Sequence, residues 1–282
     1  MSIQNEIREL EITALKVRRR VLEIIYQAKG GHTGGSLSSV DILVTLYLKI
    51  MNINTGNFAH QHRDHFIMSK GHSVESLYCT LSAAGFFPDN ILDTYGKFDS
   101  PLAGHPTLKV PGVELNSGAL GHGLSVGTGM ALAAKRDNLK NRVFVLMGDG
   151  EQGEGSICEA AMAAVHYQLD NLIAIIDRNK LQISGATEDV LGLEPLADRW
   201  KVLGWEVTET DGNHIPSLLE TFTVLPSVPN KPHLVIANTV KGKGISIIEN
   251  KAGWHHKVPN EKEFALAMEE LDLKMIKFTQ NE

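Results

Sequence analysis

"MGDGEQGEGSICEAAMAAVHYQLDNLIAIIDRNK", residues 147–180, joins the ends of two candidate strands. The apolar runs RVFVLM (142–147) and LIAIID (172–177) supply the strands, and 156–168 reads as the helix between them. The first strand ends in an acid between two glycines, Gly148-Asp149-Gly150, and the second in Asp177-Arg178-Asn179. Outward from this unit the pattern repeats. HFIMS (65–69), WEVTE (205–209) and HLVIANTV (233–240) are further strand candidates, with helices near 195–203 and 216–225. Continuous apolar strands alternating with helices predict an α/β fold, a parallel sheet with helices on both faces.

The remaining segments fit one domain spanning 1–282, with no repeat, low-complexity stretch or clear linker. Residues 5–28 have helical apolar spacing, KGGHTGGSLSS (29–39) breaks that helix with glycines, and Ser38 or Ser39 caps the next one, Val40 to Lys49. A small-residue helix is expected from Gly121 to about Asp137, where Gly123, Gly127 and Gly129 point to close packing or an interface. The stretch from Phe86 to Gly118, with four prolines, reads as a long functional loop region.

A hydrophobic content of 43% is enough for a full core, and a net charge of −6 argues against a nucleic-acid surface. Two cysteines imply no disulfide framework, the charged N-terminus does not read as a signal peptide, and no apolar run approaches the ~20 residues of a membrane helix. A cytoplasmic protein without membrane or nucleic-acid partners is therefore expected.

In a parallel sheet, ligands gather beyond the carboxyl ends of the strands. Asp149 and Asn179 would both stand there, one charged and one neutral oxygen donor, suited to Mg²⁺ with phosphate completing its shell. Glycines beside Asp149, Gly150 among them, would let phosphate approach the backbone, and the following helix start would favour an anion. Gly-Asp-Gly alone is equally a strand-to-helix turn with an acidic cap. Asn179, thirty positions on and after a helix and a strand, tips the balance toward a metal site.

This spacing resembles the thiamine diphosphate signature. By that resemblance Mg²⁺ is held by Asp149, Asn179 and the carbonyl of Leu181, and Ile183 packs on the thiazolium ring. Several families share the signature, and the histidine segments discriminate. KGGHTGGSLS holds His32, SKGHSVESLY holds His72, AGHPTLKVPGVELNSGALGHGLSVGTGMA holds His105, and TVKGKGISIIENKAGWHH ends in His255 and His256. Together, from Gly30 to Pro259, they resemble transketolase. These enzymes move a two-carbon ketol unit from a ketose to an aldose, and neutral imidazoles suit the proton transfers near pH 7.

The resemblance implies that His32 and His255 (or His256, since the register is blurred) assist proton transfer near the reacting oxygens. His105 holds the donor's terminal hydroxyl and His72 contacts donor or diphosphate. Gly118 and Leu120 meet the cofactor through backbone groups, and Lys241 lies near the diphosphate. Glu154, counted with the cofactor contacts, and Glu159 resemble acids that link paired active sites across the transketolase dimer; they read equally as N-terminal helix acids. His122 stands where many transketolases have Gln. No second βα half follows residue 260, so the chain resembles the N-terminal subunit of a split transketolase. It would act on sugar phosphates only with a separate C-terminal, pyrimidine-binding subunit that supplies the activating glutamate, two copies of each chain. Two other readings compete: part of a thiamine-dependent 2-oxoacid dehydrogenase, or a non-catalytic cofactor-binding subunit.

Overall fold

The structure, a computed structural model, describes residues 3–280. Its centre is a five-stranded sheet formed by β1 (His65–Met68), β2 (Val143–Gly148), β3 (Leu172–Arg178), β4 (Glu206–Asp211) and β5 (His233–Asn238). The strand order is β1-β2-β3-β5-β4, and every pairing is parallel, as the unbroken apolar runs predict. Alternate side chains go to opposite faces. Phe144, Leu146, Ile173 and Ile175 enter one hydrophobic cluster, whereas Val143, Val145, Leu172 and Ala174 enter the other.

The first cluster is roofed by α1 (Ile3–Ala28), α2 (Thr33–Ser38), α3 (Val40–Thr45), α4 (Val74–Ala83), α9 (Ile215–Thr223) and α10 (Glu261–Gln280). The second lies under α5 (His122–Arg136), α6 (Gly155–His166) and α8 (Leu196–Val202), while a single turn, α7 (Thr187–Val190), borders the strand ends. Among the described residues, no helix is long and apolar enough to cross a membrane.

Two local expectations need correction. The chain does turn at Gly30-Gly31, but Thr33-Gly34-Gly35-Ser36-Leu37-Ser38 is already helical. Gly34 is there for close approach: a Cβ would lie 2.9 Å from the Trp254 carbonyl oxygen and 3.1 Å from Lys241 Cγ. Neither serine caps α3. Ser39 makes no capping bond, and Ser38 instead donates its hydroxyl to Asp177 at 2.6 Å. On α5, added Cβ atoms at Gly123 and Gly127 would meet Ser69 Cα at 2.8 Å and Val145 at 2.5 Å, so packing accounts for two of its glycines; Gly129 faces open space.

Candidate active site

Register places the functional residues in one row. Gly148 pairs with Asp177 and Arg178 with Asn238, so the chain leaves β2, β3 and β5 at the same level. Beyond that edge lies a cavity of about 360 Å³. Asp149, Gly150, Asn179, Leu181 and Ile183 line it from the 147–180 stretch and its continuation. His32, His72, Gly118, Leu120, Lys241 and His255 line it from segments remote in sequence. A second hollow of about 460 Å³, between α6 and α8, is walled mainly by apolar side chains such as Ile157, Leu196 and Trp200 and holds none of the predicted residues.

The floor is an oxygen-rich corner. Asp149 is 3% exposed; its Oδ1 accepts the Gly150 N–H at 2.8 Å and its Oδ2 the Lys180 N–H at 2.6 Å. Burial, then the nearby Asp177, raises its pKa. Asn179 Oδ1 accepts the Leu181 N–H at 3.2 Å, and the Leu181 carbonyl accepts from Lys241 Nζ at 3.1 Å. Burial, reinforced by the charge of Lys70, lowers Lys241 to about 8. Among the described residues no three His, Cys, Asp or Glu side chains cluster as a metal site. The oxygens at this corner are one carboxylate, one amide oxygen and one carbonyl. Three oxygens with no nitrogen or sulfur fit a hard cation such as Mg²⁺.

Above the floor the imidazoles converge on His32. Its ring centroid lies 5.3 Å from that of His72, 5.7 Å from His255, 4.5 Å from His256 and 6.4 Å from His105. Burial is the largest cause lowering three of them: His32 to about 4, His72 to about 2 and His255 to about 3, with neighbouring lysines and imidazoles adding to it. All three are therefore neutral near pH 7. Lys241 Nζ lies 3.0 Å from His255 Nδ1, and an ammonium can only donate, so Nδ1 accepts and Nε2 carries the proton. Of the two adjacent histidines, His255 lines the cavity; His256 is exposed although its ring is nearer His32.

Two predicted residues stand apart. His105 is exposed on the rim, where its ring packs over Gly118, 3.0 Å from the position a Cβ would take there. Glu154 does not reach the cavity. It is exposed at the N-cap position of α6, and a 3-10 turn over Gly150–Gly153 separates α6 from Asp149. The acid that turns inward is Glu151, 1% exposed, which accepts the N–H groups of Gly121 (2.7 Å) and Gly148 (3.0 Å) and bonds the Ser69 hydroxyl.

Sequence reasoning also passed over a buried pair under the cavity. Lys70 bonds Asp177, whose carboxylate is fully buried and further accepts from Ser38 and Thr239. Burial alone would raise Asp177, but Lys70 and these hydroxyls hold it below the usual carboxylate range. Both residues lie inside the recognised motifs; an acid closing a fully apolar strand was the available signal. Arg178 is a further omission. Its guanidinium reaches Asp149 Oδ2 at 3.3 Å, Thr187 Oγ1 at 2.7 Å and Glu194 at 2.7 Å, tying the segment around α7 to the floor.

A parallel sheet with a cavity of polar side chains at its carboxyl edge is the ligand-binding arrangement of an open α/β protein. Residues 10–280 match the family described as "Transketolase, thiamine diphosphate binding domain", and the chain belongs to that family. It is 52% identical over 266 residues to one subunit of the apulose-4-phosphate transketolase of Phocaeicola vulgatus, covering 94% of this chain and 95% of the relative. Its identity to the protein of the same name from Actinobacillus succinogenes is 50%, covering 93% and 96%. A Pichia stipitis transketolase in complex with xylulose 5-phosphate superposes with a TM-score of 0.85 at 26% identity, over 97% of this chain. The chain spans about 45% of that solved transketolase.

Proposed function

We propose that this chain is the diphosphate-binding subunit of a split transketolase. It would transfer a two-carbon ketol unit from a ketose phosphate to an aldose phosphate together with a separate pyrimidine-binding subunit. The observation that carries this reading is the convergence of His32, His72 and His255 on the same cavity as Asp149, Asn179 and Leu181. The relatives named as single subunits of a transketolase match this chain nearly end to end. Their names support a separate partner chain; two copies of each chain is the stoichiometry that common symmetric pairing would give. Their named substrate makes apulose 4-phosphate the first donor to try.

Asp149, the Asn179 amide oxygen and the Leu181 carbonyl would hold Mg²⁺, which in turn would hold the cofactor's diphosphate. Lys241 now donates to that same carbonyl, so metal binding would free its ammonium for phosphate oxygens. Gly118, Leu120 and Gly150 offer backbone at the cavity wall. Ile183, 71% exposed at the mouth, is an apolar platform suited to a flat ring. Thiamine diphosphate, when bound, supplies the carbon nucleophile of ketol transfer. His32 and the Nε2–H of His255 are placed to exchange protons with substrate oxygens. His72 lines the same cavity, its ring 5.3 Å from that of His32 and 5.2 Å from that of His255, and His105, at the rim, would meet a donor hydroxyl.

The relatives that match this chain nearly end to end are named as transketolase subunits, which does not favour the 2-oxoacid dehydrogenase or non-catalytic alternatives. Two free cysteines, Cys79 buried and Cys158 exposed, are in keeping with a cytoplasmic location. Product analysis on the assembled enzyme is the test: ketol transfer from a ketose phosphate is expected, whereas turnover of pyruvate with a lipoyl acceptor, or of neither, would replace this reading.

A further inference from the structure

The backbone of His32, at the centre of the cluster, is held by a side chain that does not line the cavity. His32 follows Gly31, which is buried at φ +144°; a Cβ there would lie 2.5 Å from Glu75 Oε1. Glu75 comes from the first turn of α4 and is fully buried. Its Oε1 accepts the His32 N–H at 3.0 Å and the Tyr95 hydroxyl at 2.7 Å, and its Oε2 accepts the Ser36 hydroxyl at 2.7 Å. Every one of these donors is neutral, and burial raises the pKa of the carboxyl. A buried carboxylate without a cation is costly unless its acceptor sites are filled. Three donors from separate segments fill those sites, and one side chain that gathers them calls for a reason beyond the packing of this helix.

Geometry supplies the reason. His72 sits in the 3-10 turn that leads directly into α4. Three residues on, Glu75 grips the backbone of His32. One further turn along, Tyr78 donates its hydroxyl to the His105 carbonyl at 2.9 Å, and its ring contacts Tyr95 with centroids 6.3 Å apart. Residues at i and i+3 share a helix face. α4 and the turn that leads into it therefore carry one histidine of the cluster and bond the backbone of two others, with Tyr95 between Glu75 and Tyr78.

We propose that Glu75 is a positioning residue. Its buried carboxylate, backed by Tyr95, sets the backbone of His32 so that the imidazole stands at the centre of the cluster, while Tyr78 does the same for His105. The consequence for turnover rests on the ketol-transfer reading above; the positioning itself does not.

The test uses the full chain with ¹⁵N-labelled histidines, assigned by single His→Asn changes. Glu75→Leu is expected to move the ring resonances of His32, and to a smaller degree those of His105, with His166 and His233 unmoved. Glu75→Gln keeps an oxygen for the His32 N–H and is expected to restore the native positions. In the enzyme assembled with its partner, Glu75→Leu should lower kcat at least about 10-fold and Glu75→Gln less than about 3-fold, with cofactor affinity changed less than about 2-fold in both. If Glu75→Leu fails to fold, Tyr95→Phe removes one donor from the carboxylate and should move the His32 resonance alone. An unmoved His32 resonance in a folded Glu75→Leu or Tyr95→Phe chain overturns the proposal, as would Glu75→Gln behaving like Glu75→Leu. Histidine shifts as stated with no ketol transfer would leave the positioning intact and count against the function.

Discussion

The floor of the cavity and its histidine wall are built in different ways. Asp149, Asn179 and Leu181 come from two adjacent strand ends that β-sheet register brings to one level, with the Lys180 N–H and Arg178 both bonded to Asp149. His32, His72, His105 and His255 come from four separate segments, and no strand pairing places them. They meet because α4, the turn at Gly31 and the loop after β5 pack on one another through buried polar contacts. A site carried by strand ends inherits its geometry from the fold. A site carried by loops needs its own supports, and here these are Glu75, Tyr78, Tyr95 and the bond from Lys241 to His255.

If the division is real, floor and wall should fail differently when mutated. The largest effect is expected at the centre of the wall. His32→Ala in the assembled enzyme should lower kcat about 100-fold through lost proton handling, with cofactor affinity nearly unchanged. Stopped turnover accompanied by equal loss of cofactor binding would erase the distinction. Next in size is the floor: Asp149→Ala should weaken thiamine diphosphate binding at least about 10-fold, about 1.4 kcal/mol, and the defect should persist at saturating Mg²⁺. Superimposable titration curves for mutant and wild type would remove the metal role. His105→Ala, at the rim, should raise the KM for a ketose donor about 5-fold while leaving cofactor titrations alone.

The smallest effect concerns pH. His32, His72 and His255 have folded pKa values of about 4, 2 and 3, below the ordinary 6.5. Between those values and 6.5 the unfolded chain binds protons that the native chain refuses, so stability rises with pH. Acidifying from pH 7 to pH 5 should lower the melting temperature, and the chain with all three changed to Asn should lose less over that interval. Parallel losses would mean that the imidazoles are not held neutral by the fold.

The same contrast explains what the sequence made legible. Apolar runs located β1, β2, β3 and β5, because burial on both faces leaves a clear signature, whereas β4, a partly exposed edge strand, was found in WEVTE without such a run. Asp149 and Asn179 were readable because they close two of those runs. Glu75 was not, since an acid in a helical segment such as SKGHSVESLY looks like a surface charge until Tyr95 and His32 are seen around it. Glu151 went unread for a related reason: the sequence cannot reveal that a 3-10 turn follows Asp149 and carries this acid inward. The glycines at 34 and 35 read as a helix break, whereas they let α2 approach Lys241 and Ser73.

The central claim is that this chain holds the diphosphate half of a ketol-transfer site and needs a partner for the rest. The direct measurement is an assay of the purified chain with thiamine diphosphate, Mg²⁺ and a ketose phosphate donor, with and without the pyrimidine-binding subunit. No transfer by the chain alone and ketol transfer on adding the partner is the expected result. Robust transfer by the chain alone, or none with either arrangement, would contradict it.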